Sequence, residues 1–140
     1  MEILWSELTG GLRNADEGIR MVVRLLAAMV LGGIVGIQRE RVGKSAGMRT
    51  HILIAMGTAL FVVTCISADM GSDALSRVIQ GIATGIGFIG TGTILKQAER
   101  FEVHGLTTAA GLFMTAAVGV AVGLGRIGIG IVGTVMAWVV

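Results

Sequence analysis

The stretch VIQGIATGIGFIGTGTIL, residues 78–95, decides how the chain is read. Gly81, Gly85, Gly87, Gly90 and Gly92 all fall inside this one apolar run. In water each would cost a helix about 0.8–1 kcal/mol relative to alanine, so propensity argues against a soluble helix here. Hydrocarbon changes the ranking. Backbone groups find no water there, so helical hydrogen bonds form of necessity, and residues without side chains let neighbouring helices approach closely. Gly81 and Gly85 make a GxxxG pair, and Thr84, Thr91 and Thr93 can bond to neighbours or to their own backbone carbonyls. The stretch is therefore expected to be a transmembrane helix around which the other segments pack.

Gly85-Ile-Gly87-Phe-Ile-Gly90 also fits the GxGxxG spacing of dinucleotide-binding loops. That fingerprint needs a preceding strand, a helix opened by the glycines and an acidic residue about 20 positions on. Here the glycines lie within the apolar run, which excludes the nucleotide reading.

Composition agrees with a membrane location. Of 140 residues 54% are hydrophobic and 14% charged, with 23 glycines and a mean hydropathy of +0.85. There is no proline, so glycine is the expected source of any helix irregularity. A net charge of +2, with the basic residues in short loops, gives no stripe for nucleic acid. The single Cys65 excludes an internal disulfide and reads as a buried, inert thiol. The first residues lack the basic start and apolar core of a signal peptide.

In chain order, residues 1–19 are mixed, and Trp5, Leu8 and Leu12 are spaced as in a short amphipathic surface helix or belong to a loose tail. The first span is expected over 21–37, with Ala28, Gly32 and Gly36 on one contact face. Arg24, one turn inside it, reads as a snorkelling anchor. Further spans are expected over 50–67, 78–95, 106–124 and 127–140, the last being only about 21 Å long. Gly43, Gly47 and Gly125 mark turns. The fold class is thus all-α: a polytopic transmembrane bundle of four to five spans packed through Gly, Ala and Thr faces. Residues 1–140 read as a single transmembrane domain without a soluble C-terminal domain. Gly32, Gly36, Gly81, Gly85, Gly87, Gly90 and Gly92 are its expected packing positions. Basic residues cluster after the first span (Arg39, Arg41, Lys44, Arg49) and third (Lys96, Arg100), which places the N-terminus outside and the C-terminus in the cytoplasm.

No expected span carries a carboxylate at its middle, whereas ion-coupled transporters usually place Asp, Glu or His at membrane depth. Two histidines and one cysteine assemble no catalytic set and no metal site, so no enzyme, metal or cofactor is expected. The candidate functional residues gather at the loop ends of the helices: Arg39, Glu40, Arg49, Thr50 and His51 around the first loop, and Thr107 and Thr108 opening the fourth span. The plainer reading makes the basic residues topology charges and the threonines helix caps.

Four stretches carry a family resemblance: Gly36-Ile-Gln38-Arg39-Glu40; Ala46-Gly47-Met48-Arg49-Thr50-His51 continuing to Gly57-Thr58-Ala59-Leu60-Phe61; Gly87-Phe88-Ile89-Gly90-Thr91-Gly92; and His104-Gly105-Leu106-Thr107-Thr108-Ala109-Ala110. In order and spacing they resemble the MgtC/SapB family of bacterial inner-membrane proteins over about 32–125. Gln38 stands where that family commonly has an acidic residue. The resemblance implies a modulator of other inner-membrane proteins, the ATP synthase among them, linked to low-magnesium adaptation and virulence. It points to the lipid bilayer and other membrane proteins as partners, self-association as a further expectation, and no nucleic acid. The competing reading is a small magnesium or proton transporter or channel, lined past Thr84, Thr91 and Thr115.

Overall fold

The computed structural model describes residues 1–10, 15–97 and 102–140. Within them the chain forms α1 (Glu2–Thr9), α2 (Ala15–Arg41), α3 (Met48–Ser67), α4 (Ser72–Thr93), β1 (Leu95–Gln97), β2 (Glu102–His104), α5 (Leu106–Gly123) and α6 (Ile127–Val139). It is a polytopic helix bundle with one small addition, an antiparallel pair of three-residue strands in which Leu95 faces His104. Leu12, Arg13, Glu99 and Arg100 lie outside the described residues, as do the side chains of Trp5, Leu8 and Lys96.

Among the described residues three helices, α2, α3 and α5, are long and apolar enough to cross a membrane. The 22 residues of α4 measure about 33 Å, but its first turns carry Ser72, Asp73, Arg77 and Gln80. Thirteen-residue α6 is apolar and about 20 Å long. Helices α2 and α4 begin earlier than the apolar pattern suggests, because polar residues continue a helix beyond hydrocarbon. Asp16 and Glu17 in the first turn of α2, and Asp73 in that of α4, suit the positive end of the helix dipole. The turns at Gly43 and Gly125 are found: each has positive φ and sits where paired backbone hydrogen bonds close the preceding helix. Asp69 serves the same purpose after α3 with φ 57, a position usually given to glycine.

The core lies where α2, α3 and α5 meet and is built from Ala28, Leu31, Ala55, Ala59, Val118 and Val122. Small side chains there bring backbones together. A Cβ on Gly32 would stand 2.7 Å from the Ala55 Cβ and the His51 carbonyl oxygen, and one on Gly36 would stand 2.5 Å from the Met48 Cα. From the other side, a Cβ on Gly119 would collide with Thr58 Oγ1 and the Ala55 carbonyl, and one on Gly123 would lie 2.8 Å from the Ala59 oxygen. α3 is thus gripped between two glycine ridges, one on α2 and one on α5.

This corrects the expectation that the stretch 78–95 is the centre of the bundle. In α4 only Ile86 and Gly90 are buried, and a Cβ on Gly90 would stand 3.3 Å from the Ala109 Cβ. Side chains added at Gly81, Gly85, Gly87 or Gly92 would meet nothing within 4 Å. Bare backbone permits close approach by a neighbour, but it does not say which neighbour is there. Within this chain α4 lies at the rim, and its glycines border an apolar groove of about 560 Å³ against α3, lined by Thr58, Phe61, Gly81, Gly85, Ile86 and Phe88.

Arg24 also differs from expectation. Instead of reaching only for the membrane surface, its Nη1 donates to the Gly123 carbonyl at 2.9 Å, and its guanidinium lies over Gly125. The cation therefore closes the negative end of α5. Arg24→Met is expected to lower stability by about 1–2 kcal/mol, read as the thermal midpoint of the protein in detergent, because a charge-assisted bond to an orphan helix carbonyl is lost. An unchanged midpoint would leave Arg24 a surface anchor.

Candidate functional site

The loop between α2 and α3, the end of α4, the start of α5 and the end of α6 all lie at one end of the bundle. Alternating helix directions bring them there, and the polar residues of the core collect at this end. Arg39 continues the Ala28–Gly32–Gly36 ridge of α2 and is buried, while His51 in the first turn of α3 is 1% exposed. Their partners come from the last two helices. His51 Nδ1 lies 2.7 Å from Thr115 Oγ1. The Thr115 hydroxyl donates to the Gly111 carbonyl one turn back, at 2.9 Å. Arg39 Nη2 donates to the Ala137 carbonyl at 3.3 Å, near the C-terminal end of α6, where helix carbonyls lack their own donors. A buried cation thus rests on a helix C-terminus, an arrangement the dipole favours.

Four buried side-chain atoms among the described residues have no hydrogen-bond partner: Gln38 Oε1, Arg39 Nε, His51 Nε2 and Thr134 Oγ1. Arg39 and His51 also flank one position on α5. A Cβ at Gly111 would lie 3.5 Å from Arg39 Nε and 3.7 Å from His51 Cε1.

The other candidates are placed differently. Glu40 is exposed, and its Oε2 accepts the Met48 backbone N–H at 3.0 Å, satisfying one orphan donor at the start of α3. Gly47 makes room for it, since a Cβ there would stand 2.7 Å from the same oxygen. Glu40→Ala is expected to cost about 0.5–1 kcal/mol by the loss of this cap, seen as a lower thermal midpoint, with Glu40→Gln retaining most of it. Arg49 and Thr50 are exposed and point away from the buried cluster. Thr107 is exposed and Thr108 buried, and both line a pocket of about 260 Å³ with Lys44, Ser45, Thr93 and His104. Among the described residues no side chain caps α5, whose N-cap is Gly105 with φ 94, so a capping role for these threonines is not what they perform.

Of the seven candidate residues, the structure joins Arg39 and His51 in one buried cluster, seats Thr107 and Thr108 in a neighbouring pocket and leaves Glu40, Arg49 and Thr50 outside both. Gly111 was missed, and Thr115 was weighed only as a channel lining. Their signal was the spacing of Thr108, Gly111, Thr115, Val118 and Val122, which puts small and polar residues on the buried stripe of an otherwise apolar helix. Thr84, Thr91 and Thr115 do not line a common passage. The first two are exposed and donate to their own helix at Gln80 and Gly87, while Thr115 is fully buried. No group of three or more His, Cys, Asp or Glu that would hold a metal occurs among the described residues.

Comparison with known proteins gives a consistent result. The model of the MgtC family matches residues 25–140. Protein SrpB of Synechococcus elongatus is 47% identical over 122 residues, covering 79% of this chain and 67% of that protein. YhiD of Escherichia coli K12, which bears a provisional magnesium-transporter name, is 42% identical over 127 residues, covering 85% and 58%. Protein MgtC of Salmonella typhimurium LT2 is 41% identical over 105 residues, covering 75% and 44%. The chain spans two thirds of the first relative and about half of the other two. No solved structure matches it.

Proposed function

The chain belongs to the MgtC family, and from that premise we propose that it is a multi-pass protein of the bacterial inner membrane that modulates other membrane proteins under magnesium limitation or host stress. The observation that carries this reading is the open glycine face of α4. Gly32, Gly36, Gly119 and Gly123 are consumed by close helix contacts, whereas side chains added at Gly81, Gly85, Gly87 and Gly92 would meet nothing within 4 Å, and Gly81 and Gly85 border the apolar groove against α3. Small-residue faces of this kind drive helix association in lipid. Arg41, Lys44 and Arg49, exposed at the polar end, support a cytoplasmic loop there, with the N-terminus outside and the C-terminus in the cytoplasm. In this reading that charged corner provides the second contact with a partner.

The test is recovery of the intact complex from native membranes after cross-linking, with partners identified by mass spectrometry. A membrane-protein partner is expected with the natural chain, lost with Gly85→Leu and reduced with Arg49→Ala. Recovery unaffected by either change would end the proposal.

A transport role is the second reading, favoured by the name of YhiD. It predicts magnesium or proton flux through the purified protein in liposomes. Flux at transporter rates, abolished by Glu40→Gln, would replace modulation with transport.

A further inference from the structure

We propose that the pocket between the α2–α3 loop and the start of α5 binds a phosphate group, carried by a lipid or free in solution. The pocket measures about 260 Å³ and lies at the polar end of the bundle. Lys44 and Ser45 line it from the loop, His104 and Gly105 from the turn before α5, and Thr107 and Thr108 from the first turn of that helix. Thr108 is the residue that points to a ligand. The hydroxyls of Thr58, Thr64, Thr84, Thr91 and Thr115 each donate to the carbonyl four residues back in their own helix. Thr108 has no helical carbonyl at that distance, because α5 begins at Leu106. The residue is 4% exposed, yet its hydroxyl is hydrogen-bonded to no described residue. It is not one of the four enclosed atoms that lack a partner, so it opens to the pocket that the residue lines.

The surrounding groups fix the ligand's chemistry. The hydrogen-bond ladder of α5 begins with the Ala109 N–H donating to the Gly105 carbonyl at 2.8 Å, so the N–H groups before it have no helix acceptor. No side chain among the described residues caps them, and the 18-residue helix turns its positive end to this place. The Lys44 ammonium can only donate, and the hydroxyls of Ser45, Thr107 and Thr108 are each able to. Among the described residues no carboxylate lines the pocket. The carbonyls that close α2 nearby, which would repel an anion, are taken up by the N–H groups of Val42, Gly43 and Lys44. A metal ion would face both the ammonium and the positive helix end. A tetrahedral oxyanion instead offers acceptor oxygens in several directions, as donors on separate walls require. The end of the bundle where the helices leave hydrocarbon is also the depth of lipid phosphates, so both sources of the group can reach it. The proposal does not rest on a partner at α4.

The experiment is thermal unfolding of the full chain in phosphate-free, non-ionic detergent, with ionic strength held constant by sodium chloride. One arm is titrated with inorganic phosphate and the other with dihexanoyl phosphatidic acid, a soluble lipid carrying the same group. A ligand of the folded state raises the midpoint. A saturable rise is expected in at least one arm. Half-saturation at lower concentration with the lipid assigns a headgroup, and with inorganic phosphate a free anion. Lys44→Gln and Thr108→Val are each expected to weaken binding by about tenfold, as loss of a bond to a charged group does. Arg41→Gln removes a cation of the same loop that does not line the pocket, and is expected to leave binding unchanged. No rise in either arm, binding that Lys44→Gln or Thr108→Val leaves intact, or equal weakening by Arg41→Gln would each overturn the proposal. Lys44 is exposed, so its variant decides the matter even if Thr108→Val fails to fold.

Discussion

Gly119→Leu is expected to lower the stability of the purified protein by at least about 3 kcal/mol, or to prevent its folding, whereas Gly85→Leu changes it by less than about 0.5 kcal/mol. The two substitutions add the same side chain to a glycine within a long helix. They differ in what that side chain meets. At 119 the first added carbon already overlaps Thr58 Oγ1 and the backbone oxygen of Ala55, so α5 must move away from α3 and the core around Ala55, Ala59 and Val122 opens with it. The obstacle is largely backbone, which has no alternative rotamer to adopt. At 85 the new side chain enters open space at the rim of the groove. Thermal unfolding in detergent, with size-exclusion chromatography to confirm a single species, reads both. Equal losses would return α4 to the centre of the bundle and refute the arrangement described above.

The second large effect concerns the buried polar pair. Thr115→Val keeps the shape of the side chain and removes the hydrogen-bond partner of His51 Nδ1 in a site where both residues are buried. Leaving a buried donor or acceptor without its partner costs about 1–3 kcal/mol. The same substitution in a His51→Leu background takes no partner from an imidazole, so there its cost should fall below about 0.5 kcal/mol. The difference between backgrounds is the coupling energy of the pair. Additive losses, with Thr115→Val equally costly in both, would mean that the two side chains are neighbours without a bond of consequence.

Much of this architecture is legible in the sequence. Apolar length gives the helices, the Ala28–Gly32–Gly36 spacing gives the α2 ridge against α3, and Gly43 and Gly125 give two of the turns. The end of the bundle at which polar residues gather also follows from the loop composition. What the pattern does not contain is the identity of neighbours. Five glycines in 78–95 promise a face where something can come close, and the same promise is made more sparsely by Gly119 and Gly123. Only the packed chain shows that α3 takes the sparser face. Arg39 and Arg49 look alike as basic residues at a membrane boundary, yet one continues a buried ridge and the other stands on the exposed side of α3's first turn. Glu40 reads as a partner for a nearby cation. Its observed bond to the Met48 N–H depends on how the loop returns, and no spacing rule predicts that.

The fastenings of α2 and α3 are all local in sequence. Gly32 and Gly36 seat on Met48, His51 and Ala55, the chain reverses at Gly43, and Glu40 holds the first N–H of the returning helix. Contacts this close in sequence form quickly and need nothing made later. As the polypeptide leaves the ribosome, residues 15–67 can therefore enter the bilayer as a finished hairpin, with the His51 ring idle at its tip. The arrival of Thr115 on α5 then gives that ring its hydrogen-bond partner.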